Sequence, residues 1–203
     1  MKELVIGSSL CLIKKYCPEY DEIKLEEIKY GLSSLYLTIT KTIVICAIAF
    51  ILGYIKELLI FTVIYNVIRM PSFGLHATTS LSCLISSTIL FIGIPYLCTL
   101  ISIPIWMKLI LGTIGVLLIY KNSPADTEKR PIVSPKRRKT YKLLSTIVAI
   151  IFVTLSITIQ NDFISNCFTM ALILQCFIVS PTIYKLFGLP YDNYKNYNHT
   201  VLN

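Results

Sequence analysis

Charge is the scarce commodity in this chain of 203 residues. Asp, Glu, Lys and Arg together make up 15% of it, where an ordinary soluble domain carries about 25%. Such a surface cannot keep a globule of this size in solution, and a soluble nucleic-acid binder is excluded with it, in spite of a formal net charge of +8. Histidine occurs twice, so chemistry that needs an imidazole has two places to happen. The seven cysteines are odd in number and form no C-x-x-C pair, which leaves neither a disulfide framework nor a zinc site indicated. No cofactor or metal is called for. The opening residues, up to Cys17, hold only a short apolar stretch that ends in Lys14-Lys15 with no small-residue cleavage site, unlike a typical signal peptide.

What is there instead is apolar. Residues of the types A, V, I, L, M, F, W, Y and C account for 55%, and mean hydropathy is +0.70. The composition predicts an all-α polytopic membrane protein. Residues 1–31 stand apart, with five Lys against six Asp and Glu. Ile6, Leu10 and Ile13, then Leu25, Ile28 and Leu32, recur at helical spacing, which predicts an N-terminal amphipathic helix at the membrane interface. From 32 to 187 the apolar runs divide into about six transmembrane helices. Leu32–Ile68 and residues 81–119 are each long enough for a hairpin, with turns expected at Gly53–Glu57 and near Pro95–Pro104. Leu143–Ile159 and Phe163–Phe187 supply the last pair, parted by Gln160-Asn161-Asp162. The second arm of the first hairpin, Leu58–Ile68, is short and must borrow residues from 54–57 and 69–70 or lean on neighbours. The tail, 188–203, is polar and rich in tyrosine, and suggests no chemistry.

The charge that remains is unevenly placed. Residues 120–142 hold eight Lys and Arg against Asp126 and Glu128, six of the eight net charges of the chain. A loop this basic between apolar segments stays in the cytoplasm and can touch anionic lipid headgroups. With six spans, both termini and residues 69–80 then share that side, and the turns near 55, 100 and 161 face out.

Of the two histidines, His199 lies in the polar tail. His76 lies in a tract that begins with Arg69 and Pro71, passes Gly74 and reaches Cys83. Seven residues on one helix face are about 10.5 Å of rise, too far for a thiol to meet an imidazole on a straight helix. A contact between His76 and Cys83 therefore needs the chain to fold back near Gly74 or within Thr78–Ser82. A helix N-terminus and a nearby imidazolium both favour a thiolate. The spacing alone allows a catalytic pair but favours a buried structural cysteine beside an interfacial histidine. Thr79, Ser80 and Ser82 fit best as caps of the following helix.

Arg69, Gly74-x-His76-Ala77 and Cys83 together resemble the accessory gene regulator B (AgrB) family, membrane cysteine endopeptidases of peptide quorum sensing. Pro124-Ala125-Asp126-Thr127, followed by Pro131-Ile132, resembles that family's P-A-D-T-x-x-x-P-I stretch. The likeness spans nearly the whole chain. Phe73 departs from it, standing where many members carry the first of two glycines. The resemblance implies His76 as base and Cys83 as nucleophile, cutting the acidic tail from a small AgrD-like precursor peptide and leaving a cyclic thiolactone. It also implies a location in the bacterial cell membrane and suggests a homodimer. Arg69, Lys129 and Arg130 are candidates to meet the precursor's acidic tail, with a structural role for Arg69 and a purely topological one for Lys129 and Arg130 standing beside that. Gly74 supplies backbone freedom at the bend. Asp126 is a structural residue of the site or an orienter of His76, although nothing in the sequence joins the two loops. The competing classes are a non-catalytic membrane assembly partner and a small transporter. The second asks for polar residues inside the spans, for which Lys41 and Asn66 are the main candidates.

Overall fold

The computed structural model of the protein describes residues 2–75, 80–127 and 131–195. His76, Lys129, Arg130 and His199 lie outside the described residues. The described chain is 81% helical and contains no strand, so the all-α membrane class expected from composition is the class observed. It falls into two compact units, Met1–Leu52 and Gly53–Asn203.

The first unit is a helix pair. Helix α1 (Lys2–Tyr16) packs on α2 (Glu22–Ile51), whose first turn is capped by the Asp21 carboxylate, 2.8 Å from Lys24 N. Helix α2 runs across residues 31 and 32 without a break. The change from polar to apolar composition thus occurs inside one rod of 30 residues, about 45 Å long.

The second unit contains α3 (Ile55–Ser72), α4 (Ser80–Leu100), α5 (Ile105–Asn122), α6 (Pro135–Thr158), α7 (Asp162–Ile178) and the short α8 (Pro181–Leu186). Helix α3 starts just after Gly53, which turns the chain at φ +77°. By drawing in residues 55–57 and 69–72, it reaches 18 residues. By length and composition α2, α4, α5 and α6 can each cross a membrane. Helix α7 is apolar but has 17 residues, and α3 carries Lys56, Glu57 and Arg69.

Helix α7 is the axis of this unit, packed against α3, α4, α5 and α6. Small residues make that closeness feasible. A Cβ on Gly115 of α5 would stand 2.9 Å from Leu172 Cδ2 of α7, and between α5 and α6 one on Gly112 would stand 2.7 Å from Val153 Cγ2. Buried polar groups on α7 reach its neighbours: Asn166 Nδ2 donates to Ile101 O beyond the end of α4 at 2.6 Å, and Ser165 Oγ accepts from the buried Lys108 Nζ of α5 at 2.6 Å. Lys108 was not among the internal polar candidates read from sequence. Asn66, which was, is exposed and bonds its own helix at Thr62 O.

The last apolar segment is shorter than the expected Phe163–Phe187. Helix α7 ends at Ile178, because Pro181 has no N–H to continue the ladder and holds Ser180 extended at ψ 129°. The basic stretch divides as well. Helix α5 runs to Asn122 and α6 begins at Pro135, so Lys136 to Lys142 occupy the first turns of α6. Cations there oppose the helix dipole, so a counter-charge is needed close by.

Candidate functional site: a clamped loop at the end of α3

The chain leaves α3 through two residues of positive φ, Phe73 at 57° and Gly74 at 114°. At Gly74 no side chain is tolerated: a Cβ would lie 2.7 Å from Arg69 Nη1 and 2.9 Å from the Ile178 carbonyl oxygen. Phe73 holds a conformation that glycine prefers, at a cost of about 1–3 kcal/mol, and its surroundings over-determine it. Its N–H donates to Arg69 O at 3.0 Å, and its ring meets Tyr141 edge-on at 4.9 Å. Its carbonyl accepts from both Arg69 Nη1 and Gln175 Nε2, the latter at 2.8 Å.

Arg69 is committed to this loop. Besides Phe73 O, its Nη2 donates to Gly74 O at 3.2 Å and to Leu75 O at 2.8 Å. One planar fork therefore gathers three successive carbonyls. Leu75 N in turn donates to Ile178 O at 3.2 Å, pinning the last residue before His76 to the end of α7.

The two motifs, which nothing in the sequence connects, meet through backbone. Gly74 N donates to Ala125 O at 2.7 Å and Ala125 N to Ser72 O at 3.1 Å, forming a parallel bridge between Phe73 and Ala125. Next to it, Asp126 is 2% exposed. Its Oδ2 accepts from Ile132 N at 3.3 Å, Arg138 Nη1 at 3.2 Å and Tyr194 N at 3.1 Å, and its Oδ1 from Asn193 N at 3.1 Å. Four donors thus engage both oxygens of the carboxylate, three of them on Oδ2. Asp126 therefore fastens its own loop and supplies the counter-charge that the start of α6 requires.

The tail takes part in the same arrangement. Arg138 stacks on the Tyr194 ring with Cζ 3.5 Å from the centroid, and Tyr184 OH donates to Asp126 O at 3.1 Å. Tyr191 OH donates to Asn122 O at 3.1 Å. Burial first, and then the Asp192 carboxylate, push the Tyr191 phenol up to about 12, with the Arg138 guanidinium drawing it back. Burial raises Tyr184 in the same direction.

Arg69, Gly74 and Asp126 are thus brought together around the residue that precedes His76. Cys83 lies on the first turn of α4, half-buried. The segment from Leu75 to Ser80 that joins these places carries His76, and Lys129 and Arg130 follow Thr127 in the other loop, all three beyond what the structure describes. Sequence reasoning missed Gln175, Arg138 and the 189–194 tail. Gln175 alone had a signal, being the one amide in the apolar run Met170–Val179.

The family model for accessory gene regulator B matches residues 9–179, which includes both loops and the axis helix. The chain belongs to the AgrB family. An AgrB-like protein of Listeria monocytogenes is 30% identical over 188 residues, covering 92% of this chain and 91% of its own length. An AgrB-like protein of Clostridium acetobutylicum is 27% identical over 179 residues, covering 88% and 86% respectively. Accessory gene regulator protein B of Staphylococcus intermedius is 29% identical over 160 residues, covering 78% and 84%. No solved structure matches the chain. AgrB membership implies a role in processing the peptide signal of accessory gene regulator quorum sensing.

Proposed function

We propose that this AgrB protein is an integral-membrane cysteine endopeptidase that cuts the acidic C-terminal tail from a small AgrD-like precursor and leaves a cyclic thiolactone. The observation that carries the reading is the backbone bridge between Phe73 and Ala125. It joins the two family motifs at the approach to His76, with Cys83 on the helix that follows. His76 takes the thiol proton of Cys83, and the thiolate attacks the scissile carbonyl. The C–N bond breaks as the imidazolium protonates the leaving amine, giving an acyl thioester on Cys83. A cysteine of the bound precursor then gives its thiol proton to His76 and attacks that thioester; Cys83 leaves as thiolate, takes that proton from the imidazolium, and the ring is closed. One thioester is exchanged for another, so ring closure keeps the activation that hydrolysis would dissipate. A site at the membrane boundary helps to keep water away.

In this reading the α2–α7 helices span the bilayer with the basic loop, both termini and the active site on the cytoplasmic side. Lys129 and Arg130 meet the acidic tail of the precursor. Arg69, whose fork is engaged with three carbonyls, shapes the loop rather than the substrate. The test is co-expression with the precursor and mass analysis of the cleaved species. Cys83→Ala and His76→Ala are each expected to insert into the membrane and abolish cleavage. Normal cleavage by Cys83→Ala would remove the assigned nucleophile.

A further inference from the structure

We propose that Gln175 is a positioning residue of the peptidase site, holding the loop that delivers His76 through the carbonyl of Phe73. The inference rests on the reading of His76 and Cys83 above. Gln175 is 0% exposed on α7 and donates Nε2 to Phe73 O at 2.8 Å. A carbonyl only accepts, so the amide orientation is fixed by this bond. Its Oε1 must point away, and it has no partner among the described residues.

Stability does not account for such a residue. One neutral hydrogen bond contributes about 0.5–1.5 kcal/mol net, while a buried orphan carbonyl costs about 1–3 kcal/mol. Leucine or methionine at this place in an apolar helix would stabilise the core more. What Gln175 supplies is a second donor on Phe73 O, opposite the long, flexible Arg69. That carbonyl belongs to a residue held at φ 57°, a conformation that persists only where its surroundings enforce it. Gln175 projects from a rigid helix, and one turn farther along that helix Ile178 O receives Leu75 N. Both ends of the segment Phe73–Leu75 are therefore referenced to α7. Departures from the locally best residue are expected at functional sites.

The substitution Gln175→Glu gives a readout that a packing role would not move. The introduced carboxyl, while protonated, donates to Phe73 O as the amide does, whereas its carboxylate form repels that oxygen. Burial raises such a carboxyl, the Arg69 guanidinium that shares the Phe73 oxygen draws it back, and at a position with no exposed surface burial is the larger effect. Cleavage by Gln175→Glu is expected to approach wild type at pH 6 and to fall about tenfold relative to wild type at pH 9, the equivalent of losing one such bond. It should recover when the same membranes are returned to pH 6, which excludes unfolding. Gln175→Leu is expected to be about tenfold down at both values. Wild-type cleavage by Gln175→Leu at both, or a pH response of Gln175→Glu that matches wild type, would overturn the proposal. Cys83→Ala run alongside separates the cases: if it cleaves, the nucleophile is wrong, and if it is inert while Gln175→Leu is fully active, Gln175 alone is wrong.

Discussion

Replacing Asp126 should loosen the loop and the tail at once, and the structure says by how much. Asp126→Ala leaves three backbone N–H groups and the Arg138 guanidinium without their shared acceptor. The Asp126 side chain is 1% exposed and that of Arg138 20%, so solvent can rescue the arginine only in part. Breaking a buried charged pair costs about 3–5 kcal/mol, and the backbone donors argue for the upper half of that range. In a chain of this size 1 kcal/mol moves the melting midpoint by about 2–4 °C, so a fall on the order of 10 °C is expected. Asp126→Asn keeps one oxygen for the three-donor side but turns an NH2 towards Asn193 N, and should fall between alanine and wild type. The assay is thermal unfolding in detergent, paired with limited trypsin digestion between Lys129 and Arg130. Both variants should be nicked there faster than wild type. An Asp126→Ala protein that melts within about 2 °C of wild type, a shift too small for even one lost kcal/mol, would refute the account of the carboxylate as the fastening of the loop.

Two further outcomes follow from the same geometry. Gly74→Ala sets a Cβ against the Ile178 carbonyl at 2.9 Å and at φ 114°, so strain and overpacking together should cost about 2–5 kcal/mol and abolish cleavage. A variant that processes precursor normally would show that the loop need not close on α7. Tyr191, raised from 10.0 to about 12, binds its proton more tightly folded than unfolded. Its contribution is therefore whole below pH 10 and lost as pH climbs from 10 through 12. Absorbance titration of wild type minus Tyr191→Phe should show one phenolate forming near 12, and a difference midpoint near 10 would contradict its burial.

The legible parts of the fold were those written in side-chain composition. Apolar runs located the helices, and the proximity of Arg69, Gly74 and His76 in sequence marked one loop while the Asp126 tract marked another. Their meeting was hidden because it is made by Gly74 N, Ala125 N and two carbonyls, groups that carry no side-chain signature. The tail escaped for the same reason: Asn193 and Tyr194 hold Asp126 through their backbone N–H groups. The end of α7 was announced by Pro181, but the apolar residues on both sides of it read as one span. The continuity of α2 was obscured in the opposite way, since composition shifts at residue 31 while the hydrogen-bond ladder does not.

The position of Asn193 and Tyr194 also has a meaning in time. Synthesis runs from the N-terminus, so Arg69, Cys83 and Asp126 all leave the ribosome before the two residues that complete the hold on Asp126. A nascent chain released at residue 190 would contain both family motifs and every long helix, yet lack two of the four donors to the Asp126 carboxylate. The loop bridged to the end of α3 is then finished last. On the proposed mechanism, the approach to the nucleophile is completed only after every long helix has been made.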